Sequence, residues 1–155
     1  MSELLLEDEH ATAAFAARLT GLLEPGDVIG LEGDLGAGKT TLARAAIHAL
    51  GVPEEVAVTS PTFALIHQYE GRLPIIHTDF YRLGGEETLI DLGVDELLAG
   101  GAVAFVEWGR KFTDFSNTVT LWLDLAIESE VARRLRIRPG TARGEVLVAA
   151  VDGLW

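Results

Sequence analysis

The 155 residues contain no cysteine, which excludes disulfides, thiolate metal sites and cysteine nucleophiles and suits a reducing compartment. Positive charge is scarce: 12 lysines and arginines stand against 24 aspartates and glutamates, a formal charge of -12 at pH 7. A surface of that sign repels phosphate backbones, so any dealing with RNA is expected to be indirect. No apolar run approaches the roughly 18 residues of a membrane span. The start, MSELLLEDEH, is acidic and lacks the basic opening and long apolar run of a signal peptide. No low-complexity tract, internal repeat or interdomain linker interrupts the chain. With 48% of residues hydrophobic, the expectation is one soluble, cytoplasmic domain over residues 1–155.

What is present is an alternation of strand and helix patterns. Ala14, Phe15, Leu19, Leu22 and Leu23 fall at helical spacing within Ala11 to Leu23, and Glu24-Pro25-Gly26-Asp27 stops them with turn chemistry. Val28 to Leu31 is a short apolar run, and Thr40 to Leu50 reads as a helix ended by Gly51 and Pro53. Further strands are expected at Phe63 to Tyr69, Leu73 to Thr78, Ala102 to Val106, Val119 to Leu125 and Leu135 to Arg138. Helical patterning lies between Glu86 and Leu98. The expected fold is α/β: a P-loop NTPase fold whose central, mostly parallel sheet has antiparallel edge strands and flanking helices.

Between the Val28 strand and the Thr40 helix lies GDLGAGKT, Gly33 to Thr40, which satisfies GxxxxGK[ST] in the strand–loop–helix setting that pattern requires. Gly33, Gly36 and Gly38 allow backbone conformations that turn successive N–H groups, those at Leu35 and Ala37 included, toward one anion. Lys39 supplies a cation for the β- and γ-phosphates, the helix N-terminus adds partial positive charge, and the Thr40 hydroxyl can ligate Mg²⁺. The implied cofactors are ATP and Mg²⁺. Asp34 serves none of these tasks and is expected to face solvent.

A P-loop cation calls for an acid at the end of a neighbouring strand, and Glu107 after Ala102 to Val106 is the best placed. Asp79 follows a run containing His77 and Thr78, which suits a buried strand less well; it is assigned to the γ-phosphate side, ordering water or the metal shell. Thr59-Ser60-Pro61-Thr62 reads either as a capped turn or as a loop sensing the γ-phosphate. His77 reads as a structural histidine or a general base, Arg82 as a surface ion pair or a transition-state cation, and Trp108 as cavity filler or partner contact. Arg133, Arg134, Arg136 and Arg138 form a basic cluster whose last three members alternate with Leu135 and Ile137 as a half-buried strand requires; it reads as a solvated strand face or as a docking stripe for an acidic surface or RNA.

The ordered set of Thr12 to Ala16 (T-x-x-x-A), GDLGAGKTT at Gly33 to Thr41, SPTF at Ser60 to Phe63, HTDFYRL at His77 to Leu83 and VEW at Val106 to Trp108 resembles the TsaE (YjeE) family. These are bacterial ATPases needed for threonylcarbamoyl modification of adenosine 37 in tRNA. The resemblance implies association with the TsaB and TsaD proteins and hydrolysis that resets the modifying complex. It implies Thr40 and Glu107 at Mg²⁺, Lys39, Asp79 and Glu107 in catalysis, Thr41 within the phosphate motif, and Thr12 near the base. Ser60, Thr62, Arg82 and Trp108 would lie on the functional or partner surface. After Trp108 the chain reads Gly-Arg where the family often has Pro-Glu. A small-molecule kinase and a nucleotide-dependent scaffold remain the competing readings; no NKxD-type segment supports a GTPase.

Overall fold

A computed structural model of the chain describes residues 2–61, 66–81 and 93–153. The elements in chain order are β1 (Ser2–Leu6), α1 (Glu9–Thr20), β2 (Val28–Glu32), α2 (Lys39–Ala49), β3 (Ile66–Glu70), β4 (Pro74–Asp79), α3 (Val94–Ala99) and β5 (Val103–Glu107). A 3-10 turn (Gly109–Lys111) and a short α4 (Thr113–Ser116) lead to β6 (Leu121–Ile127), β7 (Arg133–Pro139) and α5 (Ala142–Asp152). The seven strands form one sheet in the order β1-β7-β6-β2-β5-β4-β3. The β6, β2, β5 and β4 neighbours are parallel; β1–β7, β7–β6 and β3–β4 are antiparallel. This is the P-loop NTPase architecture expected, with the antiparallel pairing at both edges.

Side chains alternate across a strand, so each buried central strand feeds two apolar layers. Ile29, Leu31, Val103 and Phe105 pack on one face with Phe15 and Leu19 of α1, Leu42 and Ile47 of α2, and Leu147 and Val151 of α5. Val28, Ala104 and Val106 pack on the other with Ile76, Phe80, Phe112, Phe115 and Trp122. Phe15 and Phe105 are fully enclosed, and burying side chains of that size contributes about 1.5–3 kcal/mol each.

Local chemistry sets the helix ends. Asp8 caps α1 by accepting the Ala11 N–H at 2.9 Å, and Thr141 caps α5 by accepting the Gly144 N–H at 3.2 Å. Four described elements lie outside the expectations, namely β1, the 3-10 turn, α4 and α5, while the other described strands and helices differ from them only at their ends. Residues 63–65 and 86–92 of the expected strand and helix lie outside the described residues.

One expectation is corrected. His77 and Thr78 do not mark an unsuitable strand: β4 is buried at both, each fully, because β4 lies between β3 and β5 and His77 finds a carboxylate on β5. A buried polar group is tolerated when a partner satisfies it.

Candidate functional site

The parallel strands deliver their carboxyl ends to one place. β2 runs into the glycine loop, β5 ends at Glu107 beside Leu31, and β4 ends at Asp79 beside Glu107. Gly33 has φ 148°, and a Cβ there would stand 2.5 Å from the Leu125 carbonyl oxygen, so only glycine lets the loop leave the sheet here. Gly38, at φ 102°, turns the chain into α2, whose first residue is Lys39. The opening N–H groups of a helix have no intrahelical acceptors, which makes this end of α2 suited to an anion.

Lys39 is buried, yet among the described residues it pairs with no carboxylate. Its ammonium donates to the carbonyls of Gly33 at 2.6 Å and Asp34 at 3.0 Å and lies 4.4 Å from the Trp108 ring centre. Burial holds its pKa below the ordinary lysine value, against the opposing pull of Glu107 and Asp79. Trp108 reaches over it from a left-handed backbone, φ 64° and ψ 32°, the sole positive φ outside glycine among the described residues. Such a conformation costs about 1–3 kcal/mol. Its ring stands 5.0 Å from that of Tyr81, which is exposed. Asp34 faces solvent, as expected.

Behind the loop, the Thr40 hydroxyl is 3.1 Å from both Glu107 carboxyl oxygens. Glu107 is buried and also accepts from His77 Nε2 at 2.6 Å. The register pairs His77 with Phe105, so Glu107 is the diagonal neighbour on the same face of the sheet. A carboxylate only accepts, which places the imidazole proton on Nε2 and leaves Nδ1, buried, with no hydrogen-bond partner among the described residues. His77 is therefore the residue that holds Glu107, and the general-base reading has no support in this contact. Asp79 accepts from Ser60 Oγ at 3.1 Å and from the Tyr81 N–H at 2.9 Å.

Lys39, Thr40, Thr41, Leu35, Gly36, Gly38, Ser60, Asp79, Glu107 and Trp108 line one cavity of about 280 Å³. Thr12 lines an adjoining cavity of about 350 Å³ with Ala37, Gly38 and Thr41. The structure thus brings together the expected site residues that it describes; Thr62 and Arg82 lie outside the described residues. Chemically the first cavity offers backbone N–H groups and a lysine for an anion. It also offers a hydroxyl and a carboxylate, the oxygen donors that a hard divalent cation takes.

Two neighbours were not singled out from the sequence as site residues, and a third, Arg133, was read only as part of a basic cluster. Glu32, the last residue of β2, is buried and accepts the Arg110 N–H at 2.8 Å; burial pushes its carboxyl up, with that hydrogen bond and the Arg110 charge opposing. Arg110 itself is occupied by Asp124 at 2.7 Å and lies 4.5 Å from the Trp122 ring centre. Arg133, read as one of a cluster on a strand face, instead lines both cavities. No local pattern distinguishes it from Arg134, since only the sheet topology brings the start of β7 to the glycine loop.

A family model described as "Threonylcarbamoyl adenosine biosynthesis protein TsaE" matches residues 6–135. A Streptomyces coelicolor protein named tRNA threonylcarbamoyladenosine biosynthesis protein TsaE is 47% identical over 145 residues, which cover 88% of this chain and 86% of that protein. The Treponema pallidum protein of the same name is 36% identical over 126 residues, covering 81% of this chain and 92% of the relative. The crystal structure of YdiB from Bacillus subtilis superimposes with a TM-score of 0.80 at 28% identity, over 99% of this chain and 95% of that one.

Proposed function

The chain belongs to the TsaE family of tRNA threonylcarbamoyladenosine biosynthesis proteins, and from that membership we propose that it is a Mg²⁺-dependent ATPase acting on the TsaB–TsaD complex. The observation that carries the reading is the Thr40 hydroxyl set 3.1 Å from Glu107 at the head of α2, directly behind a glycine loop and its lysine. That is the pairing a nucleotide-bound Mg²⁺ needs from the protein.

In this reading the glycine loop and the first turn of α2 bind the phosphates through backbone N–H groups. Lys39 leaves the Gly33 and Asp34 carbonyls for the β- and γ-phosphate oxygens. Thr40 and Glu107 hold the cation, and His77 keeps Glu107 turned toward Thr40. Asp79, held by Ser60 and the Tyr81 N–H, faces the γ-phosphate and orders the attacking water. Mg²⁺, when bound, neutralises charge that develops on the phosphates as the bond to the leaving group breaks. Thr12 borders the base. Trp108 and Tyr81 cover the mouth of the site and form part of the surface presented to a partner.

Among the described residues the arginine that lines this cavity is Arg133, and its guanidinium is already engaged by main-chain carbonyls of the glycine loop and the β6–β7 turn; this supports slow turnover by the isolated chain, with TsaB and TsaD completing the site. Any contact with tRNA is indirect, in keeping with a net charge of -12. No described helix is long and apolar enough to cross a membrane, and a cytoplasmic location fits the absence of cysteine.

The test is ATP hydrolysis by the purified chain, alone and with TsaB, TsaD and tRNA, with Lys39→Ala as control. Stimulation that the substitution abolishes is expected. Nucleotide binding with negligible hydrolysis even in the complex would replace the ATPase by a scaffold, and hydrolysis dependent on an added acceptor would replace it by a kinase.

A further inference from the structure

The four arginines of β7 form one cluster in sequence but not in space. Arg134 meets Glu3 at 3.0 Å and Glu128 at 2.9 Å, Arg136 meets Glu3 at 3.5 Å, and Arg138 meets Asp124 at 2.7 Å. Arg133 has no carboxylate within salt-bridge distance among the described residues. Its guanidinium donates instead to main-chain carbonyls on two sides. Nε reaches Ala37 at 3.0 Å and Nη2 reaches Gly36 at 3.3 Å, both in the glycine loop. Nη1 reaches Ser129 at 3.1 Å and Ala132 at 2.9 Å in the β6–β7 turn.

Two consequences follow from that geometry. A peptide plane is rigid, so fixing the Gly36 and Ala37 carbonyls also fixes the direction of the Ala37 and Gly38 N–H groups. The fork thereby ties the crest of the loop to the sheet through β7. Second, Arg133 is shared by the cavity of Lys39 and Glu107 and by the cavity of Thr12, as Gly38 and Thr41 are. A permanent cation with no carboxylate partner thus stands at the seam between the two. A nucleotide with its base side in one cavity and its terminal phosphate in the other crosses that seam at its inner phosphates.

We propose that Arg133 is a nucleotide-binding residue for the α- and β-phosphates, acting both by its charge and by holding the Gly36–Ala37 crest in register. The inference rests on the nucleotide reading above and adds a residue to it. It separates Arg133 from Lys39 by ligand: Lys39 also serves the γ-phosphate, whereas the contribution of Arg133 is common to a nucleoside di- and triphosphate.

The experiment is calorimetric titration of ADP and of ATP into the wild type, Arg133→Met, Arg133→Lys and Arg134→Met, at several salt concentrations, with thermal melts of each. Arg133→Met is expected to weaken ADP and ATP binding by the same factor, about tenfold, the scale of one charged hydrogen bond lost. It should also flatten the salt dependence, which a purely structural arginine would not do. Arg133→Lys keeps the charge and loses the fork, so it should recover the salt dependence and only part of the affinity. Arg134→Met should bind as the wild type does. Should Arg133→Met fail to fold, Arg133→Lys carries the test, and wild-type ADP affinity in that variant overturns the proposal. Wild-type affinity in a folded Arg133→Met overturns it equally, while the nucleotide reading stands. A wild type that binds neither nucleotide overturns both.

Discussion

Compare the flank made by β1, β7 and β6 with the carboxyl ends of β2, β5 and β4. On the flank Arg134, Arg136 and Arg138 each face a carboxylate, on side chains that remain substantially exposed. Such pairs contribute little, about 0–1 kcal/mol each, and they make an alternating strand compatible with water. At the strand ends the pattern inverts. Glu32, Lys39, His77 and Glu107 are all buried, and Lys39 donates to carbonyls while Glu107 accepts from a hydroxyl and an imidazole. Gathering ionisable groups out of water costs stability unless partners satisfy them. One region is neutralised by its own side chains; the other, in the function proposed above, is completed by a charged ligand. Residue type alone does not separate the two, since both are built from arginine or lysine and glutamate or aspartate.

The contrast can be broken most sharply at Glu107. If it serves the cation, Glu107→Ala lowers Mg²⁺-dependent turnover by roughly a hundredfold or more while sparing part of the nucleotide affinity; steady-state turnover against Mg²⁺ concentration reads this, and unchanged turnover removes Glu107 from the site. Next is Lys39→Ala, expected to cost roughly ten- to a hundredfold in ATP affinity by calorimetry, the equivalent of about 1.5–3 kcal/mol.

A smaller effect sharpens the comparison through protons. Burial holds the free Lys39 amine below its ordinary 10.5, and an adjacent phosphate favours the charged form and raises it. At pH values between the two, binding therefore takes up a fraction of a proton, and affinity falls as pH rises through that window. Calorimetry in alkaline buffers of different ionisation enthalpy measures the uptake; Lys39→Ala should abolish it. The smallest effect belongs to the flank. Arg136→Met should change stability by no more than about 0.5 kcal/mol and leave nucleotide affinity untouched. A loss there comparable to that of Lys39→Ala would erase the distinction between the regions.

The site was legible where its determinants are close in sequence. GDLGAGKT specifies strand, loop and helix within a dozen residues, and β2 and α2 lie within a residue of their expected ends. Glu107 was legible as an acid ending an apolar run. The rest depends on distant partners. β1 is a short edge strand whose register is fixed by β7, some 130 residues away, and its three leucines between acids carry no signal of that pairing. In α5 the run Val146 to Val151 has β-branched residues that read as well for strand, and the informative feature was the Thr141 cap. His77 looked out of place in a buried strand because its partner is on another strand. Arg133 looked like its neighbours because only the turn after β6 returns it to the loop.

The central claim is that the strand-end charges are completed by a magnesium nucleotide, and calorimetric titration of the wild-type chain with ATP, with and without Mg²⁺, tests it most directly. Saturable binding that Mg²⁺ strengthens is the expected result. Absence of binding under both conditions, or binding indifferent to Mg²⁺, would contradict it.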